Sequence, residues 1–312
     1  MLFVFNSLIP IFTLIALGFI LRKTGVIKNE QWRGVELMCF WLLFPALLIT
    51  TLNDADISFG ALAPFASALF ATIFIITLIV WLLRVPLKNI LNVNGPSFST
   101  IFQTSTRWHG FIALAIVDDL FGANGMAVLA IAFVVIVPYI NVVNIFVLAK
   151  YASKQKATPK MIITTIIKNP LIIGISIGIF LNLSNFALPT PIYTTLDLLG
   201  RGALGVSLLA LGAGISWMAV KSSGKEVIIA SSIRLLLTPI VAAIFAYIFG
   251  VTGDTFVILI IASAVPTAVN GYVLARTMGG DAELYATTSS AQVLISFISL
   301  PIIIWLATQF AV

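Results

Sequence analysis

Charge is scarce in this sequence. Of 312 residues, 17 are basic and 11 acidic, 9% in all, where an ordinary soluble domain carries about 25%. Set against 60% hydrophobic residues, that deficit excludes a water-soluble single domain, a disordered chain and a nucleic-acid-binding module. Cysteine and histidine are scarcer still, with one of each, Cys39 and His109. A lone cysteine forbids an intrachain disulfide. One histidine and one cysteine also fall short of the three or four ligands of a protein zinc site. No metal and no cofactor are therefore expected, and Cys39, in an apolar run, reads as packing. No glycine pair is followed by Lys-Ser or Lys-Thr as in a phosphate-binding loop. A Ser-His-Asp set and paired membrane aspartates are missing too. The chain is not expected to be an enzyme or, by itself, to draw energy from ATP. Its net charge of +6 does not signal a polyanion, because the basic residues sit in short clusters between apolar runs, where membrane topology places them.

What the sequence has is long apolar runs. About 20 apolar residues cross a bilayer core as a helix. Ten such runs follow one another, at 3–21, 35–52, 61–83, 98–117, 124–148, 162–182, 196–218, 227–249, 255–275 and 285–309. The charges of the first, Arg22 and Lys23, follow the apolar stretch, so it reads as a retained helix rather than a signal peptide. Short loops, and a short tail after Gln309, predict no appended catalytic or signalling domain. The basic clusters alternate. Arg22, Lys23, Lys28 and Arg33 separate runs 1 and 2, and Arg84 and Lys88 follow run 3. Lys150, Lys154, Lys156, Lys160 and Lys168 precede or open run 6. Lys221, Lys225 and Arg234 surround the start of run 8, and Arg276 closes run 9. Arg234, like Arg201, is read as snorkelling from a run end. Positive loops face the cytoplasm, which puts both termini outside a multi-pass cytoplasmic (inner) membrane. Asp54, Asp56, Asp118, Asp119, Asp197 and Asp254 fall on the opposite side.

Ten spans with an outward start divide into two sets of five in opposite orientation, the plan of an inverted repeat. The expected fold is therefore all-α and polytopic. A first five-helix repeat covers 1–150, a Lys-rich linker with Pro159 covers 151–161, and a second repeat covers 162–312. The two halves share a weak motif. His109-Gly110-Phe111 in run 4 and Asn270-Gly271-Tyr272 in run 9 each place a polar residue, a glycine and an aromatic before an apolar half-helix.

Both of those runs are interrupted. Run 4 carries Gln103-Thr104-Ser105-Thr106-Arg107-Trp108-His109-Gly110 at its middle. Arg107 is about ten residues, hence about 15 Å, from either end. A charge at that depth costs several kcal/mol unless it faces a cavity, a partner or an anion, and no acidic residue is expected there. In run 9, Pro266 removes a backbone donor and breaks the helix, and Asn270 supplies donor and acceptor just beyond it. Paired broken helices mark a midplane binding site, and their free N-terminal N–H groups suit an anion. Arg107 adds a bidentate cation. Gly110 and Gly271 offer backbone donors, Gln103 and Asn270 orient a ligand, and Tyr272 flanks it. Thr106, Trp108 and Pro266 shape the breaks. His109 is a structural residue, a ligand donor or a proton carrier; Trp108 packs or stacks. Asn270 could equally bridge helices, and Asn141 and Asn144, one turn apart in run 5, could line the site or join helices. Gly174, Gly178, Gly212 and Gly214 allow close helix approach, and Pro45 is expected to kink run 2.

The residues 102–115 (Phe-Gln-Thr-Ser-Thr-Arg-Trp-His-Gly-Phe-Ile-Ala-Leu-Ala) and 266–276 (Pro-Thr-Ala-Val-Asn-Gly-Tyr-Val-Leu-Ala-Arg) carry a family likeness. With Lys168-Asn169-Pro170-Leu171 and Leu300-Pro301, they make the chain resemble a bacterial member of the auxin efflux carrier family, relatives of plant PIN-type carriers. It departs from the family in having His109 where asparagine is frequent, and in lacking a proline near Ala113-Leu114. The resemblance implies broken helices 4 and 9 crossing at the substrate site. It further implies a scaffold of spans 1, 2, 6 and 7 beside a transport unit of spans 3–5 and 8–10, an elevator-type movement and a homodimer. Its substrates would be small carboxylates such as malate, malonate or an auxin-like acid. The expected function is secondary transport or uniport of a small organic anion, with proton or sodium coupling open. Two other readings stay in view: a sodium-coupled carrier of the bile-acid type, and a membrane ligand sensor that moves nothing.

Overall fold

A computed structural model describes residues 2–55, 59–153, 158, 160, 163–164, 167–184, 186–216, 224–269 and 271–311. Of the residues singled out above, Asp56, Lys154, Lys156, Pro159, Lys221 and Asn270 lie outside this set. No strand occurs among the described residues. The helices are α1 (Leu2–Lys23), α2 (Asn29–Met38), α3 (Phe44–Asn53), α4 (Phe59–Leu82), α5 (Arg84–Leu91), α6 (Gly95–Thr106) and α7 (Gly110–Tyr151) in the first half. The second half has α8 (Pro170–Ser184), α9 (Thr190–Gly214), α10 (Lys225–Ser232), α11 (Thr238–Phe249), α12 (Gly253–Ala264), α13 (Gly271–Thr277) and α14 (Ala282–Phe310). A π-helical turn, Cys39–Leu43, joins α2 to α3, and another, Ile233–Leu237, joins α10 to α11. Pro45 therefore follows a π turn, and Cys39 is buried.

Seven stretches among the described residues are long and apolar enough to cross a membrane. The runs 98–117 and 124–148 share one of them, Gly95–Tyr151, which is interrupted after Thr106 and turned at Gly122 (φ 58°, ψ −152°), a conformation open to glycine. The runs 162–182 and 255–275 are represented by shorter helices, α8 with 15 residues and α12 with 12. Helix starts follow from local chemistry. The Asn94 side chain accepts from Ser97 N–H at 2.8 Å before α6, and Asp281 accepts from Leu284 N–H at 3.0 Å before α14. Asn169 accepts from Leu171 N–H at 3.0 Å where Pro170 opens α8. Large apolar side chains such as Phe70, Phe180, Ile240 and Ile298 stay exposed, as expected where lipid is the solvent.

Two packing groups emerge. Helix α1 lies along α9, and α3 along both α8 and α9, while α4 packs on α11 and α7 on α12, with α6, α10 and α14 closing around them. Small residues set the closeness of the first group. A Cβ on Gly212 would overlap the Ile15 carbonyl oxygen, one on Gly18 the Leu209 carbonyl, and one on Gly174 would stand 2.9 Å from Pro45 Cα. Gly214, by contrast, faces open space. Arg22 donates to Ile215 O at 2.7 Å, tying the end of α1 to the end of α9. Between the groups lie stacked rings: Phe44 on Phe111 (3.4 Å, 5°) and Phe12 on Phe297 (4.0 Å, 21°). One hydrogen bond, Ser216 N–H to Ser290 Oγ at 3.0 Å, also crosses there.

Gly212→Val should lower the thermal unfolding midpoint in detergent, since overpacking costs about 1–3 kcal/mol or more. Gly214→Ala should leave the midpoint nearly unchanged.

Candidate functional site

Helix α6 ends where Arg107 turns extended (φ −68°, ψ 153°), its N–H still bonded to Gln103 O at 2.8 Å. Trp108 and His109 continue without helix, and α7 starts at Gly110. Only glycine fits that start, because a Cβ would lie 2.6 and 2.7 Å from the Phe133 ring. The Trp108 ring rests on the same phenylalanine at 4.8 Å. Residues 101–110 are all buried, so the polar run does not reach the surface.

The second interruption has the same local form. Helix α12 ends where Val265 turns extended (φ −62°, ψ 148°), and α13 starts at Gly271. A Cβ on Gly271 would overlap the Tyr285 hydroxyl. Here the freed backbone groups are satisfied by side chains from other helices. Tyr285 donates to Ala268 O at 2.6 Å. Arg234 donates through Nε to Val265 O at 2.7 Å and through a terminal nitrogen to Ala262 O at 3.2 Å. Gln292 joins the two interruptions: its Oε1 accepts from Thr267 N–H at 2.9 Å, and its Nε2 donates to Thr104 O at 3.0 Å.

Arg234 corrects the expectation that it snorkels from a span end. It is 3% exposed and sits in the π turn, where the extra residue rotates the following chain by about 100° and turns the guanidinium toward the break. With Thr106, Trp108 and Ser263 it lines a cavity of about 10 Å³, room for about one water. Arg107, His109, Gln103 and Gly110 do not line that cavity. Gln103, Arg107 and His109 instead hold buried side-chain atoms without partners. Among the described residues, Gln103 Oε1 and Nε2, Ser105 Oγ, Arg107 Nε, both His109 ring nitrogens and Ser263 Oγ have no hydrogen-bond partner. The ion pair found among the described residues, Arg201–Asp197, does not involve Arg107. Asn144 is fully buried, bonded to Ile140 O at 2.9 Å and 3.4 Å from Thr106 Oγ1, so it joins α7 to the end of α6. Asn270 lies outside the described residues. Pro266 is buried in the second interruption, and Tyr272 is half-buried on the first turn of α13. Tyr285 rather than Tyr272 covers Gly271. The sequence held a signal for Gln292, the polar run Thr287-Thr288-Ser289-Ser290-Ala291-Gln292 inside an apolar span, and none for Tyr285. No group of three metal-ligating side chains occurs among the described residues.

Residues 3–304 match a family profile described as membrane transport protein. An uncharacterized transporter from Methanothermobacter thermautotrophicus is 24% identical over 301 residues, which cover 95% of this chain and 96% of that protein. An uncharacterized transporter from Methanocaldococcus jannaschii is 23% identical over 299 residues, 94% of each chain.

Gln292→Leu should destabilise the fold more than an ordinary surface change. It leaves Thr267 N–H and Thr104 C=O unpaired, at about 1–3 kcal/mol for each buried group, readable as a drop in thermal midpoint. Gly110→Ala should do the same, and Phe133→Leu in the same chain should restore part of the loss.

Proposed function

The chain belongs to the membrane transport protein family, that of the auxin efflux carriers, and from that premise we propose that it moves a small organic anion across the cytoplasmic membrane. One observation carries the reading: Arg107, a buried arginine in a helix break, whose Nε has no partner among the described residues. A permanent cation so placed is costly unless an anion meets it. A carboxylate matches the guanidinium fork and would be held by charge-assisted hydrogen bonds. Gln103, Ser105 and His109, also buried with unpartnered atoms, are the groups to orient it. The free N–H groups at the Gly110 end of α7 add positive potential. Gly271 would serve only when the Tyr285 hydroxyl moves aside, and Asn270 and Tyr272 complete the set.

In this reading the ten apolar runs form two inverted five-helix repeats, 1–150 and 162–312, joined by the linker 151–161. The broken helices cross at the membrane midplane. Spans 1, 2, 6 and 7 are a scaffold and spans 3–5 and 8–10 a transport unit that moves past it, elevator-fashion, in a homodimer with both termini outside. The two packing groups and the matching form of the two interruptions support that division. Malate, malonate and auxin-like acids are the substrates to test first.

Uptake of labelled carboxylates into proteoliposomes tests the reading. Arg107→Ala should cut flux by about tenfold or more, because a hydrogen bond to a charged group is worth about 1.5–3 kcal/mol; Arg107→Lys should retain part of it. Wild-type flux from Arg107→Ala sinks the anion site.

A further inference from the structure

The second buried arginine, Arg234, lies outside the set proposed to hold the anion, and its guanidinium is bonded to backbone. Arg234 reaches the carbonyl end of the half-helix α12, bonding Val265 O at 2.7 Å and Ala262 O at 3.2 Å. The C-terminus of a helix carries a negative partial charge. In transporters with discontinuous helices, unwound carbonyls and half-helix C-termini are where a coupling sodium ion or proton is held. The surroundings suit a hard cation in other ways. On an otherwise apolar wall, the cavity beside Arg234 carries the hydroxyl-bearing side chains of Thr72, Thr106, Thr238 and Ser263. Ser263 Oγ is 2% exposed and has no hydrogen-bond partner among the described residues. The π turn Ile233–Leu237 is held by Thr238 Oγ1 donating to Ile233 O at 2.8 Å, which fixes the direction from which Arg234 enters.

We infer that Arg234 is a tethered cation standing where an inorganic coupling ion would otherwise bind, so that this break works without sodium. The inference deepens the transport reading and rests on it for its meaning, but the site can be probed without any carboxylate. A guanidinium donating to two carbonyls does electrostatically what a bound sodium ion does, and it cannot leave. Removing it should expose a ring of carbonyl and hydroxyl oxygens in a space enlarged by the lost side chain.

The purified full-length protein is compared in sodium chloride and in choline chloride at equal ionic strength, by thermal unfolding and by binding of radiolabelled sodium. The wild type and Arg234→Lys should unfold alike in the two salts and bind no sodium. Arg234→Ala should unfold earlier in choline, recover as sodium is raised, and bind sodium saturably. Sodium binding by the wild type, or an Arg234→Ala protein indifferent to sodium, overturns the assignment. Should Arg234→Ala fail to fold, wild-type carboxylate uptake decides. Replacing sodium by choline should change it less than about twofold, and a loss of about fivefold or more, the size of an ordinary coupling, refutes the inference. Because the binding arm uses no carboxylate, its outcome is separate from that of Arg107→Ala.

Discussion

A backbone N–H or C=O taken out of a helix and away from water has to find another partner. Both interruptions are governed by that requirement, and they meet it differently. In the second, Val265 O, Thr267 N–H and Ala268 O are taken up by Arg234, Gln292 and Tyr285, side chains delivered by neighbouring helices. At 107–109 the helix end is tied down by Gln292 on Thr104 O, while the side chains of the interruption itself hold buried atoms without partners. The second break is thus the more fully bonded of the two among the described residues, and the first keeps more bonding capacity in reserve. That asymmetry is why the anion is assigned to Arg107 and not to Arg234, although both are buried arginines beside a broken helix.

The likeness between the breaks is nevertheless close. Each follows a 12-residue half-helix, begins with an extended residue whose ψ is 153° or 148°, and resumes at a glycine pressed under an aromatic ring. Phe133 comes from α7, the helix that follows the first break, and Tyr285 from α14, one helix beyond the second. A glycine seated on a ring fixes where the next half-helix starts more firmly than a flexible loop could, because any larger residue collides. Two such seats hold the half-helix ends in register, and one glutamine side chain spans them.

How much of this could be read from the sequence depended on whether the feature was local. The interruptions were legible, since a polar run around Arg107 and Pro266 inside an apolar span both announce lost helix hydrogen bonds. Close approach at Gly174, Gly178 and Gly212 was legible for the same reason: small residues in apolar helices have few other uses. Arg234 was misread because its distance from a run end suggested snorkelling, and a π turn leaves no mark in helical periodicity. Tyr285 was missed because the groups it covers, Ala268 in the interruption and Gly271 at the start of α13, lie outside its own helix, and burial between elements is a tertiary fact. Gln292 sat in a polar run that read as part of an unremarkable span. Among the described residues seven long stretches stand where ten runs were counted, because the stretch Gly95–Tyr151 holds two runs and two helices are short.

The stacked pairs Phe44–Phe111 and Phe12–Phe297 lie where the two packing groups face each other. Attraction between flat rings is dispersive and tolerant of offset, whereas a hydrogen bond fails within a fraction of an ångström. Ring pairs at such a boundary let one face shift along the other at little cost. In the proposed movement, one body glides along the other over those rings, with the Ser216–Ser290 hydrogen bond as a polar latch to undo.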